Sequence, residues 1–237
     1  MSAPVFLVED LAGDRVLLDG AEGRHAAGSR RMQPGEAVDL VDGRGARADC
    51  RVVRVGRDEL LLEVVGRTYE PEAVPRLVLV QALPKGDRGE LAVELATEVG
   101  VDEVVPWVAA RCVMQWKGER GERQRERWQA TAREAAKQSR RARVPEVSTL
   151  HTTAQLRTRL AAATVLVLHE GARTALTSLT PPAAGEIALV VGPEGGITQD
   201  ELDALGGTAV RLGPTVLRTS TAGAAAAAVL SARTGRW

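Results

Sequence analysis

The stretch Leu189-Val-Val-Gly-Pro-Glu-Gly-Gly-Ile-Thr-Gln-Asp-Glu201 joins an apolar run to the start of a helix through a glycine-rich loop. The apolar run predicts a buried strand. Thr198 and Glu201 have the spacing of a capping box, and Asp200 adds negative charge to the first turn of the helix. Such a junction brings backbone N–H groups and flexible glycines into one small space. It is typical of a fold that grips a ligand mainly through its backbone.

A second loop of the same kind follows shortly downstream, in Leu212-Gly-Pro-Thr-Val-Leu-Arg-Thr-Ser-Thr-Ala222. The first loop lacks the glycine spacing of a dinucleotide-binding fingerprint, and no Gly-Lys-Ser/Thr follows it as in a P-loop. A single loop of this composition is compatible with a tight turn that needs only glycine dihedrals. Two such loops in succession favour a ligand site that they share.

Several polar residues of these loops have two interpretations. Glu194 either caps its own backbone or faces a cationic group of the ligand. Arg218 is either a solvated loop arginine or a contact to a phosphate or a base. The hydroxyl residues Thr219, Ser220 and Thr221 are candidates for the N-cap of the last helix. The small residues Ala224–Ala228 allow that helix to pack closely, either on the sheet or on a second subunit.

The composition is that of a globular protein. The chain has 237 residues, of which 44% are hydrophobic and 26% charged, which is enough for one large domain or two unequal ones. It contains no run of about eighteen apolar residues and no signal peptide, so we expect a soluble, cytoplasmic protein without a membrane partner. Cys50 and Cys112, together with three histidines, predict neither a disulfide framework nor a metal site.

The charge is unevenly distributed although the formal net charge is zero. Residues 111–145 contain eleven basic and four acidic side chains, and almost all of the basic ones are arginine. Guanidinium groups bind phosphate in a bidentate manner and stack on bases. In the first half of this segment, interspersed glutamates favour a solvated helix face laced with i,i+4 pairs. The second half, Gln138-Ser-Arg-Arg-Ala-Arg143, is the better candidate for contact with nucleic acid.

The pattern of elements divides the chain into two domains. Short strands separated by turns predict a small β-barrel over residues 1–72, and the proline-containing stretch Tyr69–Pro75 is the expected linker. Strands then alternate with helices over residues 73–237, which predicts a mostly parallel sheet covered on both faces. One helix is expected over Glu90–Val99, with Leu91, Leu95 and Val99 on one stripe, and a long polar helix over roughly Arg120–Arg141. Ligands bind at the carboxyl ends of such strands, so the loops 169–171, 192–196 and 213–219 are expected to converge.

Motifs spread along nearly the whole chain carry a resemblance to a known family. They are His25 with Arg30-Arg31, Leu83-Pro-Lys-Gly-Asp87, Glu94-Leu-Ala-Thr-Glu-Val-Gly-Val101, Arg111, Gln138-Ser-Arg-Arg with Val144-Pro145, Leu168-His-Glu170, Gly192-Pro-Glu-Gly-Gly-Ile197 and Leu212-Gly-Pro-Thr-Val-Leu-Arg-Thr219. With these motifs the chain resembles the RsmE family, the 16S ribosomal RNA uridine-N3 methyltransferases of the SPOUT class. Ser220 stands where many relatives have glutamate, so this chain has no carboxylate at that position.

The resemblance implies an α/β protein in which a PUA-like β-barrel precedes a SPOUT domain with a trefoil knot. It also implies a homodimer that binds 16S rRNA of the small ribosomal subunit across both subunits, with S-adenosylmethionine held in the knot. The implied activity is methylation of N3 of a uridine. Two alternatives remain open: another SPOUT reaction, such as ribose 2′-O methylation, and a non-catalytic RNA-binding protein of ribosome assembly.

The resemblance also assigns candidate residues to roles. Arg218 is the first candidate for stabilising the uridinate electrostatically, and Glu98 and Arg111 are further candidates for positioning the base. The implied cofactor-binding residues are Leu168, His169, Glu170, Val191, Gly192, Pro193, Glu194, Gly195, Gly196, Ile197, Leu212, Gly213, Leu217, Arg218, Thr219 and Ser220. The implied RNA-binding residues are His25, Arg30, Arg31, Lys85, Arg133, Lys137, Gln138, Arg140 and Arg141.

Overall fold

A computed structural model describes residues 3–237 of the chain. The described residues form two compact units. The first contains the residues up to Glu72 together with Ala136–Val144, and the second contains Ala73–Ala135 and Pro145–Trp237. The domain boundary at residue 72 stays a prediction, and the structure adds the short segment Ala136–Val144 to the first unit.

The described residues contain thirteen strands and six α-helices. The strands are β1 (Val5–Leu7), β2 (Arg15–Leu18), β3 (Ala37–Val41), β4 (Ala46–Val55), β5 (Leu60–Tyr69), β6 (Arg76–Ala82), β7 (Glu103–Val108), β8 (Glu146–Val147), β9 (His151–Thr152), β10 (Thr164–Leu168), β11 (Thr174–Ala175), β12 (Glu186–Val191) and β13 (Thr208–Arg211). The helices are α1 (Gly20–Arg24), α2 (Arg88–Glu98), α3 (Gly118–Gln138), α4 (Thr153–Arg159), α5 (Gln199–Leu205) and α6 (Thr219–Arg233), with a π-helical turn at His25–Ser29 and a 3₁₀ turn at Leu176–Ser178.

The first unit is a five-stranded sheet in the order β1-β3-β4-β5-β2. Strands β1 and β3 are parallel, and the other neighbours are antiparallel. Residues along β4 alternate between buried and exposed positions, as expected for a strand with one face on a core. The segment 136–144 completes this unit, since Ala142 packs in an apolar cluster with Val5, Leu7 and Val41.

The second unit is built on an eight-stranded sheet in the order β11-β13-β10-β12-β6-β7-β8, with β9 also paired to β7. Every ladder between these strands in the described residues is parallel. The central strands β6 and β12 are buried along almost their whole length, because helices cover both faces of a parallel sheet. The prediction of a mostly parallel sheet is confirmed.

Helix α6 packs on this sheet and on α2. A Cβ atom added to Gly223 would lie 2.6 Å from Leu79 Cδ1, and Ala226 and Ala227 are fully buried. The alanine run therefore packs on the sheet of its own chain. The predicted stripe of α2 is wrong, because Leu91 is 42% exposed. The buried face is instead formed by small residues, Gly89, Ala92, Val93, Ala96 and Thr97, which allow close packing between helices.

The long polar helix α3 ends earlier than predicted, at Gln138. Arg140 adopts a φ of 61°, in the left-handed region that a right-handed helix cannot contain. The chain therefore leaves the helix before Arg140 and Arg141, and these two arginines lie in the segment that belongs to the first unit.

Candidate functional site

A cavity of about 460 Å³ opens at the carboxyl ends of the parallel strands in the second unit. Three loops form most of its wall, and they follow β10, β12 and β13. The lining residues are Arg88, Arg111, Leu168, His169, Glu170, Val191, Gly192, Pro193, Glu194, Gly195, Gly196, Ile197, Val210, Arg211, Leu212, Gly213, Thr215, Val216, Leu217, Arg218, Thr219 and Ala222. The structure thus brings together the three loops that the strand pattern places at one sheet edge.

The lining of the cavity contains nearly all of the candidate cofactor-binding residues. Every predicted cofactor-binding residue except Ser220 lines the cavity. Ser220 is buried in the first turn of α6. Of the candidate catalytic residues, Arg111 and Arg218 line the cavity and Glu98 does not.

Glu98 lies at the other end of the sheet. It is the last residue of α2, a helix of 11 residues that starts beside the cavity with Arg88. A rise of 1.5 Å per residue places the end of this helix roughly 16 Å from its start. Because α2 leads back to the amino end of β7, it carries Glu98 away from the cavity, so the structure does not bring this residue together with Arg218. Its catalytic role stays a prediction.

The loop Gly192–Gly196 requires glycine at two of its positions. A Cβ atom on Gly192 would lie 2.5 Å from Ile197 Cγ1. Gly196 has a φ of 77° and donates its N–H to Pro193 O over 2.8 Å, a conformation that favours glycine. The loop is therefore a compact turn whose backbone lines the cavity.

Glu194 connects this loop to the segment that follows β6. Its Oε1 atom accepts hydrogen bonds from Lys85 N at 3.2 Å and from Arg88 Nη1 at 3.3 Å. The carboxylate thus pairs with a cationic group of the protein itself. Sequence reasoning missed Arg88, although it directly follows the motif Leu83–Asp87.

Arg111 supports the same loop from the segment that follows β7. Its Nη1 atom donates to Gly195 O over 2.9 Å. A Cβ atom on Gly195 would lie 3.1 Å from Arg111 Cβ, so the absence of a side chain at this position allows the close approach.

Thr219 connects the loop that follows β13 to the loop that follows β12. Its hydroxyl donates to Gly192 O over 3.0 Å and accepts from Gln81 Nε2 at 3.0 Å. The predicted N-cap role of Thr219, Ser220 and Thr221 is wrong: Arg218 is the N-cap residue, and its side chain makes no capping hydrogen bond. Gln81 was missed, although a single amide in the apolar run Leu77–Leu83 was a signal.

Glu201 forms the predicted capping box with Thr198 at the start of α5. Its carboxylate also accepts a hydrogen bond from Ala110 N at 2.7 Å, next to Arg111. Burial acts to raise the pKa of Glu201, but hydrogen bonds from Ala110, Thr198 and Thr153 outweigh it and lower the pKa below its ordinary value. The residue is therefore a buried carboxylate that stays ionised at neutral pH.

The mouth of the cavity is rich in arginine. Arg88 pairs with Glu194 and Arg111 binds Gly195 O. Arg211 and Arg218 are exposed, and within residues 3–237 their side chains have no hydrogen-bond or ion-pair partner. These two guanidinium groups are available to a negatively charged ligand.

The predicted RNA-binding residues fall into different environments. His25, Arg30 and Arg31 are exposed at the π-helical turn of the first unit, where the His25 ring contacts Phe6 edge-on at 5.9 Å. Arg133, Gln138 and Arg140 are exposed, as is Lys85 beside the cavity loops, and Arg141 is half-buried.

Lys137 does not lie on an exposed surface, contrary to its prediction as an RNA-binding residue. Its side chain is only 10% exposed, and Nζ lies 2.7 Å from Glu22 Oε1. The ammonium group is engaged in this buried ion pair within the first unit and is not exposed for contact with RNA. Arg140 is partly engaged as well, since its Nη2 atom donates to Ala3 O over 2.8 Å.

Residues 3–237 contain neither a metal-binding cluster nor a membrane-spanning helix. No group of three or more His, Cys, Asp or Glu side chains there is arranged to hold a metal ion. No helix in the same range is long and apolar enough to cross a membrane.

Comparison with known families defines the class of protein. The model of the RNA methyltransferase domain matches residues 70–231, and the model of the RNA methyltransferase PUA domain matches residues 18–65. The fold and the site are thus those of an RNA methyltransferase with an N-terminal PUA domain.

Individual relatives narrow the class further. The ribosomal RNA small subunit methyltransferase E of Mycobacterium tuberculosis is 49% identical over 247 aligned positions, covering 100% of this chain and 94% of the relative. The protein of the same name from Bacillus subtilis is 31% identical over 229 positions, covering 92% and 90%. The chain belongs to the ribosomal RNA small subunit methyltransferase E family.

A solved structure agrees in fold over the whole length. The ribosomal RNA small subunit methyltransferase E of Neisseria gonorrhoeae, crystallised with S-adenosyl methionine, superposes with a TM-score of 0.87 at 28% identity. The match covers 98% of each chain. The combination of a PUA-like unit with a parallel-sheet methyltransferase domain is thereby confirmed.

Proposed function

We propose that the protein methylates N3 of a uridine in 16S rRNA of the small ribosomal subunit, with S-adenosylmethionine as the methyl donor. One observation carries the proposal: three loops converge on a single cavity at the carboxyl ends of the parallel strands, in a chain of this family. The relative from Neisseria gonorrhoeae was crystallised with the same donor.

The cavity is suited to S-adenosylmethionine. Its volume of about 460 Å³ lies in the range of small-molecule sites, roughly 300–1,000 Å³. Leu168, Leu212 and Leu217 supply apolar wall, and the glycines at 192, 195 and 196 leave backbone groups accessible. We assign donor binding to these loops and exclude Ser220, which is buried in α6.

The chemistry requires stabilisation of negative charge on the base. The N3–H group of uridine loses its proton to solvent, and the N3 lone pair then forms a bond to the methyl carbon. The carbon–sulfur bond of the sulfonium breaks in the same step and releases S-adenosylhomocysteine. The side chain of Arg218 lies at the cavity with no partner among residues 3–237, so its guanidinium is available to stabilise the uridinate electrostatically. Arg111 acts by holding the donor loop through Gly195 O.

The first unit supplies an RNA-binding surface in this proposal. His25, Arg30 and Arg31 are exposed there, and arginine is well suited to phosphate contacts. Arg133 and Gln138 are exposed on α3, whereas Lys137 is left out because of its pair with Glu22. The homodimer, the trefoil knot and a cytoplasmic location remain predictions of the family resemblance.

The decisive experiment identifies the methylated nucleoside. Purified protein is incubated with unmethylated small ribosomal subunits and S-adenosylmethionine, and the digested RNA is analysed by chromatography and mass spectrometry. We expect 3-methyluridine, absent from a reaction without donor. A ribose-methylated nucleoside would indicate the 2′-O reaction instead. Absence of methylation together with no S-adenosylmethionine binding by calorimetry would indicate a non-catalytic RNA-binding protein.

A further inference from the structure

The buried carboxylate of Glu201 makes more hydrogen bonds than a helix cap needs. It is 5% exposed, and no cationic side chain pairs with it within the described part of the chain. Its Oε2 atom accepts from Thr198 N at 3.0 Å and Thr198 Oγ1 at 2.9 Å, which completes the capping box. Its Oε1 atom accepts from Ala110 N at 2.7 Å and Thr153 Oγ1 at 3.3 Å. The second oxygen therefore binds two other segments of the chain.

These contacts close a ring around the base of the donor loop. From Glu201, the hydrogen bond to Ala110 leads to Arg111, whose Nη1 atom binds Gly195 O over 2.9 Å. The chain then runs from Gly195 to Thr198, which binds Glu201 again. One carboxylate thus fixes the segment that carries Arg111 and the end of the loop that Arg111 contacts.

We propose that Glu201 is a positioning residue, which sets the loop Gly192–Gly196 in its binding conformation by acting through Arg111 and Thr198. The inference rests on the proposed function, since it assigns the donor to this loop. All four donors around Glu201 are neutral N–H or O–H groups, so an acceptor-only side chain satisfies every one of them. An amide in its place would turn an NH2 group towards either Ala110 or Thr198, and one arm of the ring would be lost.

The first test replaces Glu201 by glutamine. We expect the Kd for S-adenosylmethionine to rise about tenfold in Glu201→Gln, measured by calorimetry. The matched control is Asp203→Asn, an exposed carboxylate on the same helix whose hydrogen-bond donor among residues 3–237 is Gln199 Nε2, and its Kd should equal that of the wild type. An unchanged Kd in Glu201→Gln would overturn the proposal.

The second test separates positioning from general structural support. Because Glu201 acts partly through Arg111, the double variant Glu201→Gln/Arg111→Ala should lose less donor affinity than the product of the two single losses. If the fold-changes in Kd of the two single variants multiply in the double variant, Glu201 and Arg111 act independently. That result would contradict the ring. A merely structural role predicts such multiplication, because it involves no shared partner.

A third measurement applies if Glu201→Gln does not fold. Amide hydrogen exchange of the wild-type protein reports directly on the ring, and the Ala110 and Thr198 amides should be protected. Rapid exchange at Ala110 would overturn the proposal. If the wild type neither binds the donor nor methylates RNA, the proposed function fails, and the exchange result still decides whether the ring exists.

Discussion

The two ends of the parallel sheet both carry arginines, but the arginines have different partners. At the amino end, Arg76 and Arg159 each pair with both Glu103 and Glu186, over distances of 2.7 to 3.0 Å. At the carboxyl end, the lone guanidinium groups of Arg211 and Arg218 have no such partner within residues 3–237. The same residue type thus has a structural use at one end of the sheet and is left available for ligands at the other.

The difference follows from where the chain supplies carboxylates. Glu103 is buried at the start of β7, and its two arginine partners offset part of the cost of taking its charge out of water. Hydrogen bonds with Glu186 raise the pKa of Arg159, against the opposing effect of burial. At the cavity, the carboxylate of Glu194 is already paired with Arg88, which leaves the other arginines for an anionic substrate.

The largest effect is expected from Arg218→Ala. Removing a group that stabilises charge in the transition state costs about 10²–10³ in turnover. Donor affinity should change little, because the loops at 168–170 and 192–197 are untouched. Single-turnover methyl transfer to small subunits, at saturating donor, measures the effect.

The control for Arg218→Ala is Arg157→Ala, which removes an exposed arginine on α4 outside the cavity lining. This variant should turn over at the wild-type rate. Equal rates for Arg218→Ala and the wild type would refute the view that the carboxyl-end arginine is reserved for chemistry.

At the amino end of the sheet we expect a loss of stability with turnover retained. Within the described residues, Arg159→Ala leaves the buried Glu103 with Arg76 as its charged partner, and losing hydrogen bonds to charged groups costs about 1.5–3 kcal/mol each. Urea unfolding should show this loss, while turnover of the folded protein is retained. Arg157→Ala again serves as the control, since it lies two residues away on the same helix and is exposed. If Arg159→Ala is as stable in urea as Arg157→Ala, the ion pairs at the amino end contribute nothing to the free energy of unfolding.

An intermediate effect is expected from Thr219→Val, which preserves shape but removes the hydroxyl. Among the described residues, Gln81 Nε2 then retains Ala82 O as its partner, and Gly192 O loses its hydrogen bond to Thr219. Each buried polar group left unpaired costs about 1–3 kcal/mol, so we expect weaker folding and about tenfold weaker donor binding. Thr221→Val is the control, because in the described part of the chain its hydroxyl binds Arg218 O within its own turn and makes no contact to another loop. Matching calorimetric and unfolding results for the two variants would argue against the link between the loops.

The elements predicted well from the sequence are those determined by local signals. Continuous apolar runs identified β10 and β12, and the capping box of Thr198 and Glu201 is confirmed. Strands of two or three residues, such as β8 and β11, were not predicted because they are too short to show a period. The predicted stripe of α2 was wrong because α6 packs closely on this helix. That contact buries the face with small residues and not the face with the leucines.

The errors at the site have a common physical origin in long-range contacts. Arg88 and Glu194 are 106 residues apart in sequence, and no local pattern pairs them. The hydroxyl of Thr219 looks like a cap in the sequence, yet Gly192 O competes for it from a neighbouring strand end. Lys137 reads as an RNA contact until Glu22 is placed beside it. Sequence reasoning found the loops that form the cavity but not the contacts that hold them.

The smallest effect is expected from Glu194→Gln, which removes the ion pair at the cavity mouth. Arg88 and Glu194 have side-chain exposures of 42% and 30%, and exposed pairs of this kind contribute about 0–1 kcal/mol. The free energy of unfolding should therefore change far less than in Arg159→Ala, and the small difference should shrink further as salt is raised. Urea unfolding of both variants at low and high salt tests this. Equal losses would show that the two ends of the sheet do not differ, because the cavity-mouth pair would then be as structural as the buried network.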